Sequence, residues 1–260
     1  MRKKEFAYKE MTLSSKVLEV PRESYQRNFN DKRAQKIAKE FDERIANEPK
    51  VSFRDGRYFV FDGQHTIAAR KLLNGGEDLP IKCKVYFDMS EQDEALLFAQ
   101  QTGVSAPLSA GAKLRAELFG EDPKALAFKA ATEAVGLNID YDQDRGKNRI
   151  GCIQTARDIY AAIGEDRYKE AMEIIKTVWN GAPDSFRSEN IKGIARFIDL
   201  YHEEYNPKRL ITQLKKVDPL TIYRGGQAAG LSLAGYKKYL YQVWLIYNGS
   251  SKKYALPLKF

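Results

Sequence analysis

The chain is poor in the residues that staple or metallate a protein, with two cysteines and two histidines among 260 residues. Cys83 and Cys152 share no CxxC spacing and have no neighbouring histidine, which favours two quiet buried thiols over a disulfide or a zinc site. No apolar run approaches the roughly 20 residues a bilayer span requires, and the opening MRKKEFAYKEM lacks the apolar core of a secretory signal. A cytoplasmic protein without a membrane partner is therefore expected. There is no internal repeat, and no low-complexity stretch longer than the GSSKK near the end. Hydrophobic residues at 43% and charged residues at 30% are ordinary for a globular chain and exclude a disordered or collagen-like one. The length suits one large domain or two modest ones of roughly 100–150 residues.

Acidic residues are scarce in one place. The net charge is +8, yet residues 1–104 hold 19 Lys/Arg against 17 Asp/Glu and residues 105–200 hold 14 against 15. Residues 201–260 hold 10 against 3, so nearly all the excess sits there. Such a segment marks a polyanion partner or a solvated terminus.

The first hundred residues alternate strand and helix signals. KVLEVP is a short extended run stopped by Pro21, and DKRAQKIAKEFDERIA sets Ala34, Ile37, Ala38, Phe41 and Ile45 on one helical stripe behind an Asp31 cap. VSFRDGRYFVF reads as a hairpin turning at Asp55-Gly56, IKCKVYF as a strand of alternating faces, and SEQDEALLFAQQ as a helix capped by Ser90 and Asp93. After Pro107 the strand signals nearly vanish. Helices are predicted over 109–119, 122–136, 152–164, 165–179, 188–205 and 207–217, with His202 at a stripe edge rather than in a ligand set. The expected fold class is α+β: a small mixed-sheet domain over residues 1–107, then a mostly helical domain over 108–260 with a basic end.

One turn could carry chemistry. In FDGQHTIAAR a strand ends at Phe61, Asp62-Gly63 turns, and a helix begins near His65. Gly63 can take positive φ, and the first amides of the helix have no intrahelical acceptors and lie at the positive end of its dipole, which suits phosphate or carboxylate. Thr66 can cap those amides or touch the anion, Ala68 and Ala69 permit close packing, and Arg70 reaches from one turn on. Asp62 is the odd member: beside an anion it must hold a metal, accept a proton or fix the turn.

Three stretches in order resemble the ParB/sulfiredoxin superfamily over about residues 13–110. Its members carry a G-x-x-R type turn after a hairpin: GERR in ParB partition proteins, GCHR in sulfiredoxins, and DGQHR, DGQQR or DGHHR in related phage, restriction and serine-kinase proteins. Here the turn is DGQHT, ESYQRNF is similar to the YQR or FQR segment before the first helix, and LFAQQTGVSAPLSAGAKLRA is similar to the passage after the last core strand of the phage relatives. The resemblance implies a nucleotide- or phosphate-binding protein, of phage or plasmid type, that acts on or binds DNA. Gly63, Gln64, His65 and Thr66 would cradle phosphate with Gln26, and Arg27 and Arg70 would supply charge. Asp62 and His65 would be the acid/base pair, with Asp62 the metal ligand if there is one. A nucleoside triphosphate and Mg2+ are the cofactors this implies; DNA, a nucleotide and a second copy in a homodimer are the partners.

The departures are specific. Thr66 stands where most relatives have a phosphate-binding Arg, and Thr102 and Ser105 stand where Asn and a basic residue are usual. Gln64 takes the place of the sulfiredoxin cysteine, which excludes sulfinic-acid reduction. The early glutamate of the serine-kinase relatives would fall near Gln26, leaving Glu23 as an imperfect substitute for small-molecule kinase chemistry. The alternatives left are a metal-dependent nuclease at the same turn and a catalytically silent DNA-binding or regulatory module.

Two further stretches concern DNA. NIDYDQDRGKNRIG reads as a loop whose Arg145, Lys147 and Arg149 could meet phosphates, and its aspartates lack the glycine and terminal glutamate of a calcium loop. In GYKKYLYQVWLIYNGSSKKYALPLKF, Lys237, Lys238, Lys252 and Lys253 are the expected DNA contacts. The tail lysines interleave with Tyr236, Tyr239, Tyr241, Trp244 and Tyr247, which suits stacking on unpaired bases, while Tyr236, Leu240, Val243, Trp244 and Tyr247 also fall at the helical spacing of a packed final helix.

Overall fold

The computed structural model describes residues 5–26, 28–100, 108–144, 146–228, 233 and 235–260. The chain divides into two compact units between Ala125 and Leu126. The α+β class holds, with a mixed sheet in the first unit and helices dominating the second.

In the first unit, β1 (Tyr8–Ser14), β2 (Leu18–Glu19), β3 (Lys50–Arg54), β4 (Arg57–Asp62) and β5 (Pro80–Phe87) form one sheet in the order β1-β5-β3-β4-β2. β5 is antiparallel to β1 and parallel to β3, while β4 is antiparallel to β3 and parallel to β2. The hairpin turns where Asp55-Gly56 predicts, with φ of 52° and 73°, the paired positive values that a two-residue turn between twisted strands needs. Along β5, Ile81, Cys83 and Val85 are buried on one face, as the alternation of IKCKVYF requires. They join Val51, Val60 and Ile67 of α2 (Gln64–Leu73) in one core. On the opposite face Phe61 and Tyr25 pack with Phe98 of α3 (Glu91–Ala99) and Ala116 of α4 (Ala110–Phe119).

α3 opens on the Ser90/Asp93 capping box, as predicted. α4 belongs to this unit rather than to the helical one. Gly120 at its end comes so close to α3 that a Cβ there would lie 2.5 Å from Leu96 Cγ. The end of the strand signals at Pro107 thus marks the end of the sheet, not of the compact unit.

Three charged or polar side chains tie this unit together internally. Glu94 is fully buried, and its carboxylate accepts from Tyr25 Oη at 2.8 Å and from Arg54 Nε at 2.8 Å. The Arg54 guanidinium also lies 3.7 Å from the Phe59 ring centroid. Burial, followed by the Glu94 charge, pushes the Tyr25 hydroxyl far above its usual range, so it stays a donor.

Two expectations fail near the N-terminus. β1 was not foreseen, because only Leu13 of its seven residues is buried and an edge strand of this kind shows no alternation. The first helix, α1, spans Asp31–Lys39, is capped by Asn30 rather than Asp31, and stops at Glu40. Phe41 and Ile45 therefore lie in the following loop, with Ile45 73% exposed.

The second unit runs on from α5 (Pro123–Ala134) into β6 (Asn138–Ile139) and β7 (Arg149–Ile150), a short parallel ladder closing the NIDYDQDRGKNRIG loop. Then follow α6 (Ile153–Ile163), α7 (Glu165–Trp179), α8 (Ser188–Leu200), α9 (Pro207–Leu214), α10 (Thr221–Ala228) and α11 (Lys237–Asn248). α8 ends at Leu200 instead of running to Tyr205, leaving His202 exposed beyond it. α10 was not foreseen, because Gly225-Gly226 reads as a breaker. The two glycines serve contact instead: a Cβ on Gly226 would lie 2.7 Å from the Tyr239 ring, and one on Gly225 2.2 Å from Gln242. Leu240, Val243 and Tyr247 are buried as the spacing predicts, whereas Tyr236 is exposed, Trp244 is half-buried and Tyr239 is buried in their place. No helix of the described residues is long and apolar enough to cross a membrane.

Candidate functional site

β4 delivers Asp62 to the sheet end, and Gly63 turns the chain into α2 at φ 99°. The N-cap of α2 is Gly63, which has no side chain to cap with, and the first turn holds no acid, so the positive end of the helix dipole faces what lies in front of it. In front lies a cleft of about 590 Å³, walled by Gly63 to Thr66 on one side and by α1 and the loop after it on the other. Arg33 and Lys36 of α1 line this cleft without an acidic partner among the described residues, alongside Glu40, Asp42 and Asp62, of which Asp42 pairs with Arg44 and Asp62 with Lys50. Ile37, Phe41, Ile45 and Ala46 give it an apolar side.

The stretches singled out in the sequence meet here. Gln26 is buried and donates from Nε2 to the carbonyls of Val60 (3.1 Å) and Phe61 (2.9 Å), closing the end of β4. Its Oε1 accepts from Gln64 Nε2 at 3.4 Å. His65 is buried, stacks on Phe29 at 5.1 Å and 11°, and accepts the Asn30 amide proton on Nε2 at 3.2 Å. The histidine therefore joins the cap of α1 to the entrance of α2. Asp62 pairs with Lys50 at 2.9 Å across the hairpin, which neutralises the carboxylate that stood oddly beside an anion site. Thr66 is half-buried on the cleft wall. Arg27, Thr102 and Ser105 lie outside the described residues.

Arg70 is used differently from the expectation. Its guanidinium pairs with Glu43 at 2.6 Å and lies 5.5 Å from the Phe41 ring centroid, so it holds the loop wall from behind instead of facing the cleft. Glu43 is largely exposed, and the pair should contribute no more than about 1 kcal/mol to stability. Glu43→Gln should accordingly raise hydrogen–deuterium exchange over residues 41–47 while β4 and α2 keep their protection. Arg33 and Lys36 were missed because a polar residue beside an apolar helical stripe is ordinarily solvated. The available signal was that Arg33 stands one turn before Ile37 on the same helix.

Of the two thiols, Cys83 is buried as expected and Cys152 is half-buried. Both are free, and burial pushes Cys83 up to about 11 and Cys152 up to about 12. In the second unit Lys147 and Arg149 are exposed at the β6–β7 loop, and Arg145 lies outside the described residues. Asp140 is buried and accepts the Asp144 amide proton at 3.1 Å, so it shapes the loop. Lys237, Lys252 and Lys253 are exposed and Lys238 is half-buried. Lys237 and Lys238 stand at the start of α11 and Lys252 and Lys253 just past its end, so the four do not form one patch.

Comparison with known proteins gives one family. A family model described as "Family of unknown function (DUF6551)" matches residues 20–260. No curated protein and no solved structure matches.

Proposed function

The chain belongs to the DUF6551 family, and we propose that it is a ParB-like nucleotide- or phosphate-binding protein that acts on or binds DNA. What supports this most is the entrance to α2: the positive end of a helix, after a positive-φ glycine, opens into a cleft that also holds two cations without acidic partners among the described residues. Where most ParB/sulfiredoxin relatives carry an arginine, this chain has Thr66, and Arg33 and Lys36 supply the missing charge from α1. A phosphate sits before the positive end of α2, and the apolar wall of Ile37 and Phe41 accommodates a ring attached to it. The contacts of Gln26 with Gln64 and of Phe29 with His65 are in keeping with the ParB-like arrangement, since they join two stretches on which the resemblance rests.

A magnesium ion carried on a triphosphate needs only one or two protein carboxylates. A nuclease built on a protein-held metal at Asp62 fits less well: that carboxylate holds Lys50, and among the described residues no three His, Cys, Asp or Glu side chains converge. A catalytically silent binding module is the second reading, favoured because the two expected acid/base groups, Asp62 and His65, are both engaged structurally.

Calorimetric titration of the four ribonucleoside triphosphates, with and without magnesium, tests the proposal. At least one should bind, and Arg33→Ala or Lys36→Ala should weaken it by about tenfold or more through loss of a charge-assisted contact. No binding by any triphosphate would overturn nucleotide recognition at this cleft. Binding without turnover would favour a switch over an enzyme.

A further inference from the structure

From Pro219 to Phe260 the chain has no Asp or Glu. Of the six cations in that stretch, Arg224 pairs with Asp218 and Lys259 with Glu204. Lys237, Lys238, Lys252 and Lys253 have no acidic partner among the described residues. α11 holds them apart at its two ends, and a helix of 12 residues is about 18 Å long. Each end also presents an exposed tyrosine beside cations. Tyr236 is 39% exposed with the Arg196 guanidinium 5.0 Å from its ring centroid. Tyr254 is 44% exposed with Lys253 at 5.3 Å and Arg209 at 5.1 Å. Between the ends, Tyr241 and Trp244 stack at 5.6 Å and 17°, and the Trp244 indole N–H is anchored on the Leu256 carbonyl at 3.0 Å.

Two lysines at the start of a helix, with no acid in the first turn and no side-chain cap, have the sign the helix dipole disfavours. An approaching polyanion relieves that repulsion. Aromatic faces beside lysines suit unpaired bases in particular, because a duplex keeps its base faces stacked inside. We propose that the two ends of α11 bind single-stranded nucleic acid, with the Lys237/Lys238 and Lys252/Lys253 pairs on phosphates and with bases stacking on the exposed part of Tyr236 and Tyr254, whose rings also carry Arg196 and Arg209/Lys253. This rests on the DNA-binding reading given above.

The test is fluorescence anisotropy of the full chain with labelled oligothymidylate and with a duplex of equal length, over a potassium chloride series. Lys237→Ala/Lys238→Ala and Lys252→Ala/Lys253→Ala should each flatten the log affinity against log salt slope on the single strand, by about 0.7 per lost contact. Tyr236→Ala and Tyr254→Ala should each weaken single-strand binding about 5- to 150-fold, with unfolding midpoints unchanged and Tyr→Phe at the same positions restoring affinity. If the lysine variants lose duplex binding while the tyrosine variants bind as before, the surface docks a duplex and the single-strand proposal is overturned. If the wild type binds nucleic acid and every variant matches it, this surface is overturned and DNA binding lies elsewhere. If the wild type binds neither probe, both the proposal and the DNA-binding reading fall.

Discussion

Arg54→Ala should destabilise the first unit by about 3–5 kcal/mol, because it leaves the Glu94 carboxylate buried and uncompensated. The cost is large because Glu94 is fully enclosed and has no water to turn to, whereas Arg54 reaches it from a partly exposed position. Tyr25→Phe removes the second donor and should cost less, about 1–3 kcal/mol. The triple replacement Tyr25→Phe/Arg54→Met/Glu94→Leu should recover most of the loss, since it also removes the buried Tyr25 hydroxyl that would otherwise lose its acceptor. Urea unfolding of the four proteins measures all of this. A loss below about 1 kcal/mol for Arg54→Ala would show that the pair is solvated in practice.

Gly63→Val should lower stability by about 2–5 kcal/mol, from two sources that can be separated. A β-branched residue is strained at φ 99°, and its Cβ would lie 3.0 Å from Pro49 Cα and 3.1 Å from Pro49 Cβ. Gly56→Ala is the control: φ there is 73°, nothing lies within 4 Å, and only the conformational cost of about 1–2 kcal/mol applies. The difference between the two variants reports the approach of Pro49. Any affinity the α2 entrance has for an anion should vanish in Gly63→Val and persist in Gly56→Ala. Equal losses of stability in both would mean that the chain before β3 gives way easily.

What could be read from the sequence is local. Asp55-Gly56 and the Ser90/Asp93 box specify their turn and cap within a few residues, and α6 and α7 follow from helical periodicity alone. The DGQHT turn was legible too, as a strand end, a glycine and a helix start. β1 was not, because an edge strand burying one side chain has no pattern to display. Nor was α10, because a glycine pair that lets Tyr239 and Gln242 approach is indistinguishable in sequence from one that ends a helix. The partners of site residues were hidden for another reason. That Arg70 meets Glu43, and that His65 receives the Asn30 amide, are facts about chain segments brought together by the sheet, and no spacing encodes them.

The order of strands has a kinetic consequence. β3 and β4 are joined by two residues and can pair on the microsecond scale of an isolated hairpin, whereas β1 finds β5 only when Tyr8 reaches Tyr86 across the rest of the unit. Closing that long loop brings β1 little reward, since Leu13 is its one buried side chain. β1 should therefore join last during folding and exchange its amide protons first in the native state. The first unit thus opens from the β1 edge of its sheet, at the far end of the strand order from β4, which delivers the turn into α2.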